Sequence, residues 1–186
     1  MHRAPSKEEI RKAANKTIQD VIAPKLKILF CGINPGLYSA AVGHNFARPG
    51  NRFWPAIVGA GFTDRLLSPY EETNLLEYGY GITNIVERAT ASADELKKDE
   101  LIQGAKELIT KVRLYVPAYL AVVGLTAYRT AFKSPKAKIG LQEEKIDTTL
   151  IWVLPNPSGL NAHHQLPDLV KYFSALRLHS LKNRND

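Results

Sequence analysis

The sequence predicts an α/β fold, a three-layer αβα sandwich in which helices cover both faces of a mostly parallel central sheet. Four short and almost uncharged apolar runs alternate with segments of helical periodicity. Strands buried on both faces read as continuous apolar runs, and helical connections between them make the strands parallel. The 186 residues, 45% of them apolar, suffice for one core without a disulfide or a structural metal.

The chain is predicted to consist of a helical extension, residues 1–24, and a single domain, residues 25–186. Ser6 and Glu9 have the spacing of a capping box, and apolar residues recur at helical spacing until Pro24. The run LKILFC then predicts a buried strand, RFWPAIVGAG a helix led by Asn51, and YGITNIV a second, shorter strand.

The second half begins with the clearest helix, over about residues 94–116, which is apolar on one face and charged on the other. Its opening residues Asp94 and Glu95 suit a helix N-terminus, and Pro117 ends it. AYLAVV predicts the third strand, LTAYRTAF a short helix, and TLIWVL the fourth strand, before a last helix that begins near Pro167. Residues 134–148 read as a polar excursion within the domain.

Composition narrows the class of protein. The 25 Lys and Arg residues exceed the 18 Asp and Glu residues, which gives a net charge of +7 and suits a nucleic-acid partner, although solubility also accounts for a basic surface. The single cysteine, Cys31, excludes an internal disulfide and a Cys-rich zinc site, and we interpret it as a small buried hydrophobe. No apolar run is long enough for a membrane span and no secretory signal opens the chain, so we expect a cytoplasmic protein.

Two loops that follow apolar strands share an Asn-Pro pattern, INPG and PNPSGL. Because the carboxyl ends of parallel strands meet at one edge of a sheet, we expect the two loops to form one site. Asn34 could hold a water or a polar ring edge there, or its motif could be a simple turn. Leu160 could be a DNA wedge or pack into its own core, and Phe46 could stack on a base or fill the core.

The sequence lacks a Walker-type phosphate loop, a metalloprotease helix, a nucleophile-elbow serine and a zinc-deaminase signature. Four motifs are present in a fixed order, GINPGL, GHNFARPGNRFW, GITNIVER and LPNPSGL, and they resemble those of the mismatch-specific uracil-DNA glycosylase and thymine-DNA glycosylase family. The resemblance covers about residues 26–180.

This resemblance implies a uracil-DNA glycosylase-like fold and a monofunctional enzyme of base excision repair. Such an enzyme flips a base out of the duplex and hydrolyses its N-glycosidic bond, which leaves an abasic site. The implied substrate is uracil, with thymine and ethenocytosine as further candidates, in mismatches with guanine. The implied partner is double-stranded DNA, bound by a monomer without a metal, a cofactor or a membrane.

The resemblance also implies roles for individual residues. Asn34 matches the catalytic asparagine that positions the attacking water. The implied substrate-binding residues are Ile33, Ser39, Phe46 and Asn84. Phe46 stacks on the flipped base, while Ser39 borders its C5 edge. Backbone N–H groups near Ile33 and Phe46 bind the polar edge of the base.

A wedge loop is the second implied element, and its DNA-binding residues are Asn156, Ser158, Gly159, Leu160 and Asn161. Leu160 enters the space that the flipped base leaves. If a carboxylate assists the reaction, Glu87 and Asp94 are the nearest candidates in the sequence.

Two alternatives from other classes remain open at this point. The first is a DNA-binding module that recognises mismatches without cutting, against which the presence of Asn34 argues. The second is a nucleotide-phosphate-binding α/β protein, which is disfavoured because neither Asn-Pro loop carries the glycines and lysine of a phosphate cradle.

Overall fold

The computed structural model describes residues 3–183 and confirms the three-layer α/β fold with a mostly parallel sheet. The strands are β1 (Ile28–Gly32), β2 (Tyr80–Asn84), β3 (Tyr119–Val123), β4 (Gly140–Ile146) and β5 (Thr149–Leu154). The helices are α1 (Lys7–Arg11), α2 (Leu37–Val42), α3 (Phe53–Gly59), α4 (Leu75–Tyr78), α5 (Lys98–Tyr115), α6 (Leu125–Ala131) and α7 (Leu166–Lys182). Short 3-10 helices span Pro69–Asn74 and Ala93–Glu95.

The strand order is β2-β1-β3-β5-β4, with β4 antiparallel to β5 and every other pair parallel. Helices α3 and α7 cover one face, where Phe30 packs edge-on against Phe53 at 5.4 Å and stacks on Phe173 at 6.0 Å between ring centroids. Helices α5 and α6 cover the other face around Leu29 and Leu108. Each such buried side chain contributes about 1.5–3 kcal/mol, so the two cores hold the strand ends rigidly. None of the helices described is long and apolar enough to cross a membrane.

The four predicted apolar strands are confirmed as β1, β2, β3 and β5, and the helix near Pro167 is confirmed as α7. The helix led by Asn51 is confirmed as α3, because the Asn51 side-chain oxygen accepts a hydrogen bond from the N–H of Phe53 at 2.9 Å. The prediction missed α2, which begins after Gly36 and ends before Gly43, where φ is +79°. Short helices bounded by glycine give little periodicity to read.

The N-terminal helix is much shorter than predicted. Its capping box at Ser6 and Glu9 is present, but the helix ends at Arg11, and Asn15 adopts a left-handed φ of 63°. The following apolar residues pack individually, and Val21 exchanges two backbone hydrogen bonds with Ile82 at the outer edge of β2. The apolar residues after Arg11 have the spacing of a helical face, although the chain there is irregular. The proposed boundary between an extension, residues 1–24, and a domain, residues 25–186, stays a prediction.

The structure adds one strand to the prediction and moves the start of one helix. Within residues 134–148, where a polar excursion was expected, β4 forms an edge strand that buries only Gln142 and Ile146. Charged residues are common on edge strands, which must resist pairing with other chains, and here they hid the strand pattern. Helix α5 begins at Lys98 rather than at residue 94, because Asp94 and Glu95 belong to the preceding 3-10 helix.

Candidate active site

A cavity of about 330 Å³ opens at the carboxyl ends of the parallel strands, where ligands usually bind in α/β sheets. The loops after β1, β2 and β5 form its walls. Nine of the ten predicted site residues line it: Ile33, Asn34, Ser39, Phe46, Asn84, Asn156, Ser158, Leu160 and Asn161. Two loops about 120 residues apart in the sequence therefore meet at one site, as their shared pattern predicted.

The side-chain nitrogen of Asn34 is held by two acceptors. Its Nδ2 donates to the carbonyl oxygen of Arg88 at 3.0 Å and to Oγ1 of Thr90 at 2.7 Å. Backbone hydrogen bonds join the two loops, since Leu37 N–H donates to the Thr90 carbonyl at 3.2 Å and Thr90 N–H donates to the Pro35 carbonyl at 3.1 Å. Within residues 3–183, Oδ1 of Asn34 has no hydrogen-bond partner and is not sealed from the cavity.

Thr90 fixes the direction of the Asn34 amide. Its hydroxyl donates to the carbonyl of Ser92 at 2.7 Å, so the oxygen must act as an acceptor toward Asn34. Arg88 is anchored by an ion pair with Glu100, with 2.6 Å between Nε and Oε1. The hydrogen bond from Arg88 is the largest influence that lowers the pKa of Glu100 to about 2. Sequence reasoning missed Thr90 and gave no role to Arg88, although Arg88 ends the GITNIVER motif.

Phe46 lies in a strained but well supported position. Its φ of 53° is in the left-handed region, which is unfavourable for a residue with a side chain. Its ring stacks on Phe53 with 4.0 Å between centroids and 19° between planes. The hydroxyl oxygen of Ser39 accepts a hydrogen bond from the N–H of Ala47 at 3.0 Å and so holds the next residue of the loop. The ring is thereby fixed at the wall of the cavity.

Asn84 ends β2 beside Gly32 of β1, and its Nδ2 donates to Oδ1 of Asn45 at 3.1 Å. A Cβ atom on Gly32 would lie 2.4 Å from Oδ1 of Asn84, so the amide fits only against glycine. Asn45 donates in turn from its backbone N–H and its Nδ2 to Oε2 of Glu72, at 2.8 Å and 3.1 Å. Asn45 falls within the GHNFARPGNRFW motif, whereas no sequence pattern links Glu72 to the site.

The wedge loop, residues 156–161, is braced by its own side chains. Oδ1 of Asn156 accepts from the N–H of Ser158 at 2.9 Å, and Nδ2 of Asn161 donates to the Asn156 carbonyl at 2.9 Å. Leu160 at the tip is 72% exposed, so the alternative in which it packs into its own core is wrong. Gly159, the one predicted residue that does not line the cavity, packs so closely that a Cβ atom would lie 2.5 Å from the carbonyl oxygen of Gly50.

Arg52, the residue before α3, connects the start of that helix to the wedge loop, and sequence reasoning missed it. Its guanidinium donates to the carbonyl oxygens of Asn161 and His164, both at 2.7 Å, and to that of Ser158. Its backbone N–H donates to the Pro157 carbonyl at 2.9 Å. A planar guanidinium can serve several carbonyls at once, which a lysine ammonium cannot do in the same geometry. The only signal was the position of Arg52 in the RPGNRFW segment.

The remaining candidates lie at the margin of the site or away from it. Glu87 is exposed, does not line the cavity and forms an ion pair with Lys111 at 3.5 Å. Asp94 lines the cavity but is exposed in a 3-10 helix. Cys31 is fully buried, and burial raises the pKa of its thiol, which confirms the interpretation as a buried hydrophobe.

The comparison with known families adds an independent observation. A family model described as the uracil DNA glycosylase superfamily matches residues 19–177 of the chain. The match takes in the five strands, the whole cavity and the wedge loop.

Proposed function

The chain belongs to the uracil DNA glycosylase superfamily, whose members are DNA glycosylases, and we propose that it removes uracil from mismatches with guanine. Thymine and ethenocytosine in the same mismatches are further candidate substrates. The proposed reaction flips the base out of the duplex and hydrolyses its N-glycosidic bond without a covalent enzyme intermediate, so that an abasic site remains. We further propose that the protein acts on double-stranded DNA as a monomer, in the cytoplasm or at the nucleoid.

The observation that carries the proposal is the fixed amide of Asn34. Two acceptors hold its nitrogen, so its oxygen is presented for a hydrogen bond from water. A neutral amide is a weak activator, which suffices when the glycosidic bond breaks early through an oxocarbenium-like sugar. Placement of the water is then the main contribution of Asn34 to the rate.

The departing base needs stabilisation of the negative charge that grows on its ring. The backbone N–H of Phe46 makes no hydrogen bond to another residue in the described part of the chain, and Phe46 lines the cavity. A preorganised N–H donor that faces the developing charge stabilises it effectively. Its left-handed backbone and its stacked ring hold this group in place.

Leu160 supplies the proposed wedge. Its side chain is 72% exposed at the tip of a braced loop that borders the cavity, so it is free to enter a bound duplex. Insertion between base pairs would bury it and would occupy the gap left by the flipped base. Arg52 holds the loop in place by donating to two of its carbonyl oxygens, those of Ser158 and Asn161, and to that of His164 just after it.

The alternative of a nucleotide-phosphate-binding protein is set aside because the chain belongs to a family of DNA glycosylases. The finer substrate assignment is tested with end-labelled duplexes that carry uracil opposite guanine or adenine, at excess protein and in the presence of a chelator. Alkali then reveals abasic sites. Faster cleavage opposite guanine supports the proposal, whereas equal rates opposite both bases would refute the mismatch preference.

A further inference from the structure

We infer that the N-terminal segment, residues 6–18, positions the amide of Asn34 by fixing the loop that binds this amide. The members of the segment are positioning residues, since none of residues 6–18 lines the cavity. The segment precedes residues 19–177, so membership of the family assigns it no role. The inference rests on the proposed function and adds a further part of the chain to the same site.

The N-terminal segment joins the loop after β2 at Ala89. The N–H of Asn15 donates to the Ala89 carbonyl at 3.0 Å, and the N–H of Ala89 donates to the Lys16 carbonyl at 2.9 Å. Ala89 is 1% exposed, so water cannot readily replace either hydrogen bond. Both backbone groups of Ala89 therefore depend on the N-terminal segment for their partners.

Ala89 lies between the two residues that hold the Asn34 amide. The Arg88 carbonyl and Oγ1 of Thr90 accept from Nδ2 of Asn34 at 3.0 Å and 2.7 Å. Because these two residues flank Ala89 in the sequence, a shift of its backbone moves both acceptors together. Nη1 of Arg88 also donates to Oδ1 of Asn15 at 3.3 Å. The N-terminal segment thus determines where the acceptors of the Asn34 amide lie.

Apolar packing ties the N-terminal segment to the chain on the other side of the site as well. Ala13 is fully buried and Ile18 is 9% exposed, and both belong to one cluster with Ala40 of α2 and with Ala89. Helix α2 follows the loop that carries Asn34. The cluster therefore holds the loop that carries the amide and the loop that binds it against the same segment.

Asn15 turns the chain so that its N–H reaches Ala89. Its φ of 63° lies in the left-handed region, which asparagine and glycine adopt at less cost than other residues. Proline cannot adopt this conformation, because its ring holds φ at about −65°, and it lacks an N–H. Glycine keeps the turn and the N–H, and it removes only the side-chain contact with Arg88, which stays paired with Glu100.

The test measures single-turnover cleavage of a duplex with uracil opposite guanine at saturating protein. Asn15→Pro should lower the rate about tenfold and leave the duplex affinity within about threefold, because it displaces a group that places the water rather than one that binds DNA. Asn15→Gly should keep the rate within about twofold of the wild type.

Asp147→Pro is the matched control for the proline substitution. Asp147 has a similar left-handed φ of 52°, in the turn between β4 and β5, at the end of the sheet away from the cavity. Proline there should lower the melting temperature and leave the cleavage rate unchanged.

A second measurement separates positioning from general damage. In an Asn34→Ala background, Asn15→Pro should cause no further loss of rate, because the N-terminal segment acts through Asn34. If the Asn34→Ala rate is too slow to measure, Thr90→Val supplies the background, and the combined loss should be smaller than the product of the two single losses. If Asn15→Pro does not fold, Ala13→Leu, which overpacks the buried cluster, takes its place.

The outcomes distinguish the inference from the proposed function. A rate that falls in Asn15→Pro and persists in Asn15→Gly, with no added loss in the Asn34→Ala background, supports the inference. If the wild type cleaves uracil but Asn15→Pro cleaves equally fast, or loses rate independently of Asn34, the inference is wrong and the proposed function stands. If the wild type leaves uracil opposite guanine intact, the proposed function and the inference both fail.

Discussion

Nδ2 of Asn34 lies 2.7 Å from Oγ1 of Thr90, and the Thr90 hydroxyl gives its own hydrogen to the carbonyl of Ser92. This pair decides which end of the Asn34 amide faces the cavity. Thr90 therefore sets the chemistry that the amide of Asn34, the residue proposed to be catalytic, offers to the cavity.

Thr90→Val tests this relationship, because valine keeps the shape of threonine and removes the hydroxyl acceptor. The Asn34 nitrogen then keeps only the Arg88 carbonyl, and we expect about a tenfold lower single-turnover rate with unchanged DNA affinity. Thr130→Val on α6, whose hydroxyl donates to the Thr126 carbonyl within the same helix, is the matched control. An unchanged rate in Thr90→Val would show that the Arg88 carbonyl alone suffices.

Leu160→Ala should weaken binding to duplex DNA more than binding to single strands, because only a duplex offers a gap to fill. We expect about a tenfold weaker duplex affinity, measured by fluorescence anisotropy. Leu114→Ala removes a leucine of similar exposure, 74% against 72%, from α5 and should bind as the wild type does. Equal losses on duplex and single strands would contradict the wedge role.

Arg52→Lys should loosen the wedge loop while leaving the sheet intact. A lysine cannot serve the carbonyls of Ser158, Asn161 and His164 together, so backbone amides in residues 157–165 should exchange hydrogen faster. Hydrogen–deuterium exchange measures this directly, with the exposed Arg113→Lys as the control. Unaltered exchange in the loop would mean that its internal hydrogen bonds hold it without Arg52.

The ion pair between Arg88 and Glu100 predicts a defined dependence of stability on pH. The pKa of Glu100 falls from its usual 4.5 to about 2 in the folded protein, chiefly through the hydrogen bond from Arg88. A lowered folded-state pKa adds stability that is complete above pH 4.5 and is lost as the pH falls toward about 2. The melting temperature of the wild type should exceed that of Glu100→Gln at pH 6, and the difference should vanish near pH 2. A difference that persists there would contradict the prediction.

The fold was predictable where strands are buried on both faces, since continuous apolar runs such as residues 28–32 have few other interpretations. It was not predictable where tertiary contacts override local pattern. Val21 has helical spacing but pairs with the edge of β2, and Gln142 belongs to an edge strand whose charges read as a loop.

The site was predictable to the extent that its residues lie in the Asn-Pro loops. Asn34 and Leu160 carry patterns that point to a polar group at a strand end and to an apolar loop tip. The residues that hold the site in place, Thr90, Arg52 and Glu72, were not predictable. Each of them forms hydrogen bonds to residues more than 25 positions away in the sequence, as Glu72 does to Asn45. Distances of this kind appear only when the chain is folded.

The most direct test of the central claim is the single-turnover cleavage of a duplex with uracil opposite guanine by the wild type and by Asn34→Ala. Removal of the amide oxygen should lower the rate at least about a hundredfold, because the water is no longer placed, while the duplex affinity stays within about threefold. An Asn34→Ala protein that cleaves at the wild-type rate would contradict the role assigned to Asn34.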